Sequence, residues 1–366
     1  MINLVIYRKY RPQTFAEVIG QDHVIKTLIG AIKSGTVAHA YLFAGPRGTG
    51  KTTVARILAK AVNCLDDSSY EPCNRCESCL EIMNNRSMDL IEIDAASNRG
   101  IEEIRELKER VRFVPTRKYK VFVIDEAHQL TKEAFNALLK TLEEPPAHAI
   151  FILATTEPHK MLPTILSRVQ RFDFKKLSFT DIVKRLQMIA QKEGVKITDK
   201  ALRVIALNSE GYMRDAESML GQVIAFCGDK EISVSDIENV LGIVDINLAI
   251  KFIEILAKKD SNEALVFIDK FVNQGYDLVQ FTESLINYAR KLMLLRVGED
   301  LSKLIKEELS PEQMNTAIKQ AQEFSLEEIS KIIEIFIEAL YQMKHSTFPQ
   351  INFELAVIEI TTRNKQ

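Results

Sequence analysis

The stretch Gly45-Pro46-Arg47-Gly48-Thr49-Gly50-Lys51-Thr52 constrains this chain more than any other. It reads G-x-x-x-x-G-K-T. The apolar run His39-Ala40-Tyr41-Leu42-Phe43-Ala44 precedes it, as a buried strand would. Val54-Ala55-Arg56-Ile57-Leu58-Ala59-Lys60-Ala61 follows, with apolar residues at helical spacing. Strand, glycine-rich loop and helix in that order make a phosphate-binding loop. The glycines let successive backbone N–H groups face phosphate oxygens, and the helix N-terminus adds its positive end. Lys51 would reach the β- and γ-phosphates and Thr52 would hold Mg²⁺ through its hydroxyl. The whole run from Gly45 to Thr53 is the expected nucleotide cradle.

A second nucleotide signature lies about 75 residues further on. Val121-Phe122-Val123-Ile124 is a short apolar strand ending on Asp125-Glu126. A carboxylate at a strand end can reach the Mg²⁺ held by Thr52, and its neighbour can polarise a water for in-line attack. Asp125 is assigned to the metal and Glu126 to the water. Asp125-Glu126-Ala127-His128 also spells the box of one helicase class, but His128 is read as a packing residue with no chemical role. A further apolar strand, Ala149 to Ala154, ends on Thr155-Thr156. A hydroxyl there could contact the γ-phosphate or its attacking water, or it could simply start a turn.

Cys64, Cys73, Cys76 and Cys79 give C-x8-C-x2-C-x2-C within sixteen residues. Four soft thiolates at such spacing suit a tetrahedral structural zinc site, closed to catalysis because sulfur fills every position. The rival is a redox pair, since C-x-x-C also serves thiol exchange. Cys227, in an apolar helical stretch, is expected to be a core thiol.

With 366 residues, 46% hydrophobic and 27% charged, the chain suits two or three globular domains. No apolar run is long enough to span a membrane. The N-terminus lacks a basic lead and a cleavage site, so a cytoplasmic location is expected. A net charge of −2 does not announce nucleic acid, so DNA would have to bind through a local basic surface or an assembly.

The opening segment, Tyr7 to Phe15, is basic and aromatic and precedes any regular element; it reads as a surface arm or a packed strap. His23 to Ile32 carries a helical stripe. Asp89 to Asp94 alternates with apolar residues at both parities, as an internal strand would. The helix from Ile101 presents a solvated charged face. Its start, Ser97-Asn98-Arg99-Gly100, could offer N–H groups and an arginine to a DNA phosphate. Phe172-Asp173-Phe174 is a short strand. After Leu177 the pattern turns helical, opening at Ser178-x-x-Asp181 and continuing to a helix capped by Ser235-x-x-Glu238. From about Ile243 to Arg363 the chain stays helical, with starts at Ser310-Pro311 and Ser325-x-x-Glu328. That last part has packing faces without polar chemistry, and oligomerisation is its expected use.

Tyr10-Arg11-Pro12 with Gly20-Gln21, the phosphate loop, a four-cysteine insert after the first core helix, Asp125 to His128, Asn136 to Pro146, and Ser167-Arg168 together resemble the AAA+ clamp loaders. The cysteine insert narrows the resemblance to those of bacterial DNA polymerase III. It covers essentially the whole chain, most strongly from residue 7 to about 175. The resemblance implies an α/β AAA+ domain over 1–178 with a zinc knuckle at 64–79. A helical lid over 179–243 and an all-α oligomerisation (collar) domain over 244–366 would follow. It implies an ATPase motor that opens a ring-shaped sliding clamp and places it on primed DNA. Further copies, delta and delta-prime subunits, the clamp and the DNA backbone would be its partners, and ATP, Mg²⁺ and structural Zn²⁺ its cofactors.

By the same resemblance Arg168 would be an arginine finger completing a neighbour's site, which fits the value of a cation supplied in trans. Thr156, with or without Thr155, would be sensor 1, Arg214 sensor 2, and Tyr10, Arg11, Pro12 and Ile19 would hold the adenine side. Two positions depart from the family pattern: Val169 stands where cysteine commonly follows the finger, and Tyr212 where a small residue follows Gly211. Longer members carry further C-terminal domains, so the chain resembles a core part or a shortened form. A helicase, a branch-migration motor and a scaffold without hydrolysis are the alternatives. The missing second RecA-like half weighs against the first, the knuckle and helical tail against the second, and the set Lys51, Thr52, Asp125, Glu126 against the third.

Overall fold

A computed structural model describes residues 5–228, 230–242, 245–298, 305 and 308–362. The expected helical limits at Ile243 and Arg363, and the residues at both chain ends, lie outside the described residues. The chain divides into two compact units, Met1–Ile224 and Ala225–Gln366.

In the first unit a parallel sheet carries the phosphate loop. Its strands are β1 (Ala40–Ala44), β2 (Leu90–Asp94), β3 (Lys120–Asp125), β4 (Ala149–Thr155) and β5 (Gln170–Asp173), in the order β2-β3-β4-β1-β5. β1 and β4 are buried along their whole length and β3 along all but its last residue. Continuous apolar runs of this kind mark parallel strands covered on both faces. Alternate residues serve the two faces. Tyr41, Phe43, Val121 and Val123 pack on one side with helices α2 (Asp22–Ser34) and α3 (Lys51–Val62). Leu42, Phe122, Ile124 and Phe151 pack on the other with α5 (Ile101–Val111) and α6 (Lys132–Glu143). Phe122 and Phe151 are register partners and stack at 5.2 Å; burying each ring contributes about 2–3 kcal/mol.

Two local expectations are corrected. Asp89 to Asp94 is not an internal strand: β2 pairs with β3 and forms the sheet edge. Ile91 and Ile93 pack half-buried on one face and Leu90 on the other, while Glu92 and Asp94 are exposed, as an edge strand allows. The opening segment does contain regular structure, a helical turn α1 (Ile6–Lys9) and a 3₁₀ turn at Phe15–Glu17. Between α3 and β2 lies α4 (Glu77–Met83), which grows out of the cysteine knuckle.

A short helix α7 (Pro163–Leu166) precedes β5, and α8 (Phe179–Glu193), α9 (Asp199–Asn208) and α10 (Met213–Cys227) follow it. Ser178 caps α8 by accepting from the Asp181 N–H, as expected. The next cap differs: α11 (Val234–Leu241) is opened by Ser233 with Asp236, two residues before the expected Ser235 and Glu238. Both pairs have capping spacing, so spacing alone could not choose. Cys227 ends α10 half-buried beside an exposed Phe226 and is not a core thiol.

The second unit continues with α12 (Ile246–Ala257), α13 (Ser261–Asn273), α14 (Leu278–Val297), α15 (Pro311–Glu323), α16 (Leu326–His345) and α17 (Pro349–Thr362). Capping boxes at Ser310/Gln313 and Ser325/Glu328 open α15 and α16. Phe252, Phe281, Phe336 and Phe353 centre its core. Two buried polar side chains pair within it: the Tyr288 hydroxyl donates to Gln320 Oε1 at 2.7 Å, and Gln320 Nε2 donates to the Ile250 carbonyl at 3.0 Å. No helix among the described residues is long and apolar enough to cross a membrane.

Candidate active site

The phosphate loop leaves β1 at the carboxyl edge of the sheet, where strand order reverses and ligands of α/β folds bind. Gly45 sits at φ +148° with the Phe174 carbonyl 2.4 Å from where a Cβ would stand, so only glycine fits. Lys51 opens α3, is buried, and donates from Nζ to the carbonyls of Gly45 and Pro46 at 2.8 Å each. Burial lowers its pKa, while Glu126 and Asp125 pull it back up. Buried Gln21 ties the loop to the sheet, donating to the carbonyls of Lys175 (2.7 Å) and Thr49 (3.5 Å) and accepting from the Lys175 N–H.

The two expected carboxylates meet this loop. The Thr52 hydroxyl donates to Asp125 Oδ2 at 2.8 Å, and the Glu126 N–H donates to Asp125 Oδ1 at 3.0 Å. Glu126 adopts φ +48°, an unusual conformation for a residue with a side chain. Its Oε2 accepts from the Thr156 hydroxyl at 3.0 Å. His128, almost fully buried, lies behind them: Nδ1 is 3.0 Å from Thr155 Oγ1, and Nε2 is 3.0 Å from Glu157 Oε2. Nδ1 also lies 3.5 Å from Glu126 Oε2.

These groups line a cleft of about 180 Å³. Arg11, Pro12, Ile19, Arg47, Gly48, Thr49, Gly50, Lys51, Thr52, Thr53, Asp125, Glu126 and Arg214 all lie on its wall. Gly45 and Pro46 are under it, joined through Lys51. Tyr10 is not on the wall. Its ring lies near the Nζ atoms of Lys9 and Lys192, its carbonyl accepts from Arg185, and burial beside Glu193 raises its pKa. Thr156 reaches the cleft only through Glu126. Arg168 faces away from it: Nη1 donates to the Thr164 carbonyl and Ser167 Oγ, and Nη2 pairs with Glu143 at 2.8 Å.

Sequence reasoning missed Tyr7, Glu17, Val18, Leu177, Arg185, Met213 and Glu217, which also line the cleft. The Arg214 guanidinium sits 4.6 Å from the Tyr7 ring centroid and, by hydrogen bonding, lowers the Tyr7 pKa. Arg185 and Glu217 form a pair at 3.2 Å with side chains 8% and 6% exposed. Burial pushes the Glu217 carboxyl up to about 7, against the opposing pull of Arg185. The signal was available: Arg185 lies between Ile182 and Leu186 on the buried stripe of α8, and Glu217 beside Ala216 on that of α10.

The four cysteines converge, their sulfurs all within 4.8 Å of one another. Cys64 and Cys79 Sγ are 3.8 Å apart, close to the roughly 3.8 Å edge of a tetrahedron with Zn–S bonds near 2.3 Å. The N–H groups of Cys73, Cys76 and Cys79 each point at the sulfur of the preceding cysteine in the series. Backbone donation, chiefly from Arg75, holds the Cys73 thiol down at about 6. The donor set is compatible with zinc, and the N–H groups would stabilise thiolates around it.

Family models described as DNA polymerase III, delta subunit; clamp loader subunit, ATPase lid domain; and subunits gamma and tau domain III match residues 20–178, 181–229 and 232–365. DNA polymerase III subunit tau of Bacillus subtilis is 42% identical over 362 residues, covering 99% of this chain and 64% of that protein. DNA polymerase III subunit gamma/tau of Mycobacterium tuberculosis is 37% identical, covering 96% and 61%. The tau subunit of Escherichia coli is 40% identical, covering 80% and 46%. The chain thus spans about three-fifths or less of these relatives. Among solved structures, the RuvB branch migration motor of Thermotoga maritima aligns over 67% of this chain and 78% of its own at 21% identity. Its TM-score of 0.48 is too low to bear on function. The parallel sheet, lid and C-terminal helices make an AAA+ architecture, which implies a nucleotide and Mg²⁺. By sequence identity along nearly its whole length, the chain belongs to the DNA polymerase III gamma/tau family.

Proposed function

We propose that the chain is the ATP-hydrolysing motor subunit of a clamp loader, opening a sliding clamp and loading it on primed DNA. The observation that carries this reading is the meeting of Thr52 with Asp125, and of Thr156 with Glu126, on the phosphate loop of a chain 42% identical to a DNA polymerase III tau subunit. Lys51 and the loop N–H groups would bind the β- and γ-phosphates. Thr52 and Asp125 would hold Mg²⁺, which supplies charge neutralisation at the phosphates. Glu126 would orient the attacking water, with Thr156 fixing the carboxylate that does so. Arg214 would reach the γ-phosphate from the lid, and Arg11, Pro12 and Ile19 would hold the adenine side. Tyr10 is better placed to support that wall than to touch the base. Arg168, turned from its own cleft, would complete a neighbour's site.

In this reading Cys64, Cys73, Cys76 and Cys79 hold a structural Zn²⁺. Residues 1–178, 179–243 and 244–366 would act as motor, lid and oligomerisation collar in a cytoplasmic hetero-oligomer. Further copies of the chain, delta, delta-prime, the clamp and the backbone of primed DNA are the proposed partners, with Arg99 at the start of α5 a candidate phosphate contact. ATP turnover with delta, delta-prime and clamp, with and without primed template, tests the reading. Strong stimulation that needs both clamp and primer junction is expected. Turnover indifferent to both would overturn it in favour of another AAA+ DNA remodeller, and a Lys51→Ala chain that still hydrolyses ATP would overturn the site.

A further inference from the structure

We propose that the cysteine knuckle braces the wall of the nucleotide cleft, acting through Glu71, Asn74 and Lys60 on the strap formed by residues 11–19. The inference rests on reading the cleft as the nucleotide site. One side of the strap faces that cleft, through Arg11, Pro12, Glu17, Val18 and Ile19. The backbone between them turns to the knuckle instead. The Phe15 N–H donates to Glu71 Oε2 at 2.7 Å and the Ala16 N–H to Glu71 Oε1 at 3.0 Å. These amides open the 3₁₀ turn Phe15–Glu17, whose own N-cap, Thr14, makes no side-chain cap. Glu71, which lies 56 residues from Phe15 in sequence, therefore supplies the missing cap, with the charge that suits a helical N-terminus.

A second tie runs beneath the strap. Lys60, 2% exposed, donates to the Gln13 carbonyl (2.7 Å), Gln13 Oε1 (2.8 Å) and Asn74 Oδ1 (2.7 Å). An ammonium has three protons to give, and all three are placed. Lys60 lies on α3, the helix that begins at the phosphate loop. Asn74 lies between Cys73 and Cys76 at φ +55°, a conformation set by the turn of the knuckle. Phosphate-loop helix, cleft wall and knuckle thus share one buried cation. A segment as short as Cys64–Cys79 has little core of its own and depends on its sulfur cluster for shape. Glu71 and Asn74 thereby reach across to the strap from behind, on the side away from the cleft.

The test compares the full chain with its Glu71→Ala and Glu71→Gln variants, measuring Mg²⁺–ATPγS affinity by calorimetry, amide exchange at Phe15 and Ala16, and zinc content. For Glu71→Ala we expect exchange about 10-fold faster at both amides and nucleotide affinity about 3- to 10-fold weaker at unchanged zinc content. Glu71→Gln should fall between it and wild type, and zinc chelation of the wild-type chain should reproduce both effects. Affinity within about 2-fold of wild type, or unchanged exchange at Phe15 and Ala16, would overturn the proposal. If Glu71→Ala loses zinc or unfolds, the glutamine variant and the chelated wild type decide by the same two readouts. A wild-type chain that binds no nucleotide fails the reading of the cleft, not this one.

Discussion

The Thr156 hydroxyl donates to the carboxylate of Glu126 across 3.0 Å, joining the ends of two neighbouring parallel strands. Glu126 follows β3 and Thr156 follows β4, so pairing of those strands delivers both groups to one edge of the sheet. Thr156 would then act by aiming the carboxylate that holds the attacking water. Thr156→Val keeps the shape and removes the donor. Hydrolysis by the assembled complex should fall about 10- to 100-fold, with ATP affinity changed less than about 3-fold. An equal loss of affinity would show that the threonine binds ground-state nucleotide instead.

Arg168 is held by Glu143, Ser167 and the Thr164 carbonyl, away from the cleft of its own subunit. Arg168→Ala should leave nucleotide affinity of the isolated chain unchanged. It should reduce turnover of the assembled complex by about 10³-fold or more. Weaker nucleotide binding by the isolated variant would place the guanidinium in its own site.

Burial raises the Glu217 carboxyl to about 7 from an ordinary value of 4.5. The folded state therefore holds a proton that the unfolded chain releases between those values. The stability this group contributes is present below about pH 4.5 and is lost as pH rises to about 7, up to about 3 kcal/mol. Glu217→Gln mimics the protonated form. Its melting temperature should gain on that of wild type as pH rises from about 5 to 8. A difference independent of pH over that range would mean that the Arg185 pair holds the carboxylate ionised throughout.

Cys79 is buried among the four convergent sulfurs. Purified chain should carry one zinc, and cobalt in its place should give the absorption of a tetrahedral thiolate site. Cys79→Ser should abolish stoichiometric binding and lower the melting temperature by several degrees, an effect of about 2 kcal/mol or more. Full metal retention in that variant would point to a three-sulfur site with another ligand.

Much of the candidate site could be read from the residues because its chemistry is local. The phosphate loop needs glycines, Lys51 and Thr52 at fixed spacing on a strand-to-helix turn. The cysteines announce themselves by crowding, and the caps at Ser178, Ser310 and Ser325 bond an amide three residues away. Such signals depend on the backbone over one turn and survive whatever the rest of the chain does. The same logic failed at Ser235, where Ser233 offered an equal local solution and the fold chose it.

Tertiary structure decided the rest. The apolar residues marked 89–94 as a strand, but only the sheet order makes it an edge with Glu92 and Asp94 exposed. Nothing near Tyr10 in sequence brings Lys192 to its ring, or leaves Tyr7 beside Arg214. The Arg185–Glu217 pair spans 32 residues and the Glu71 cap on Phe15 spans 56. Contacts at such separations exist because packing of helices on a particular sheet brings them together, at a loop-closure cost that sequence pattern does not encode. The residues alone named the nucleotide chemistry, the approach of Asp125 to Thr52 and the thiolate cluster; the fold alone joined the Thr156–Glu126 pair and set the knuckle behind the cleft wall.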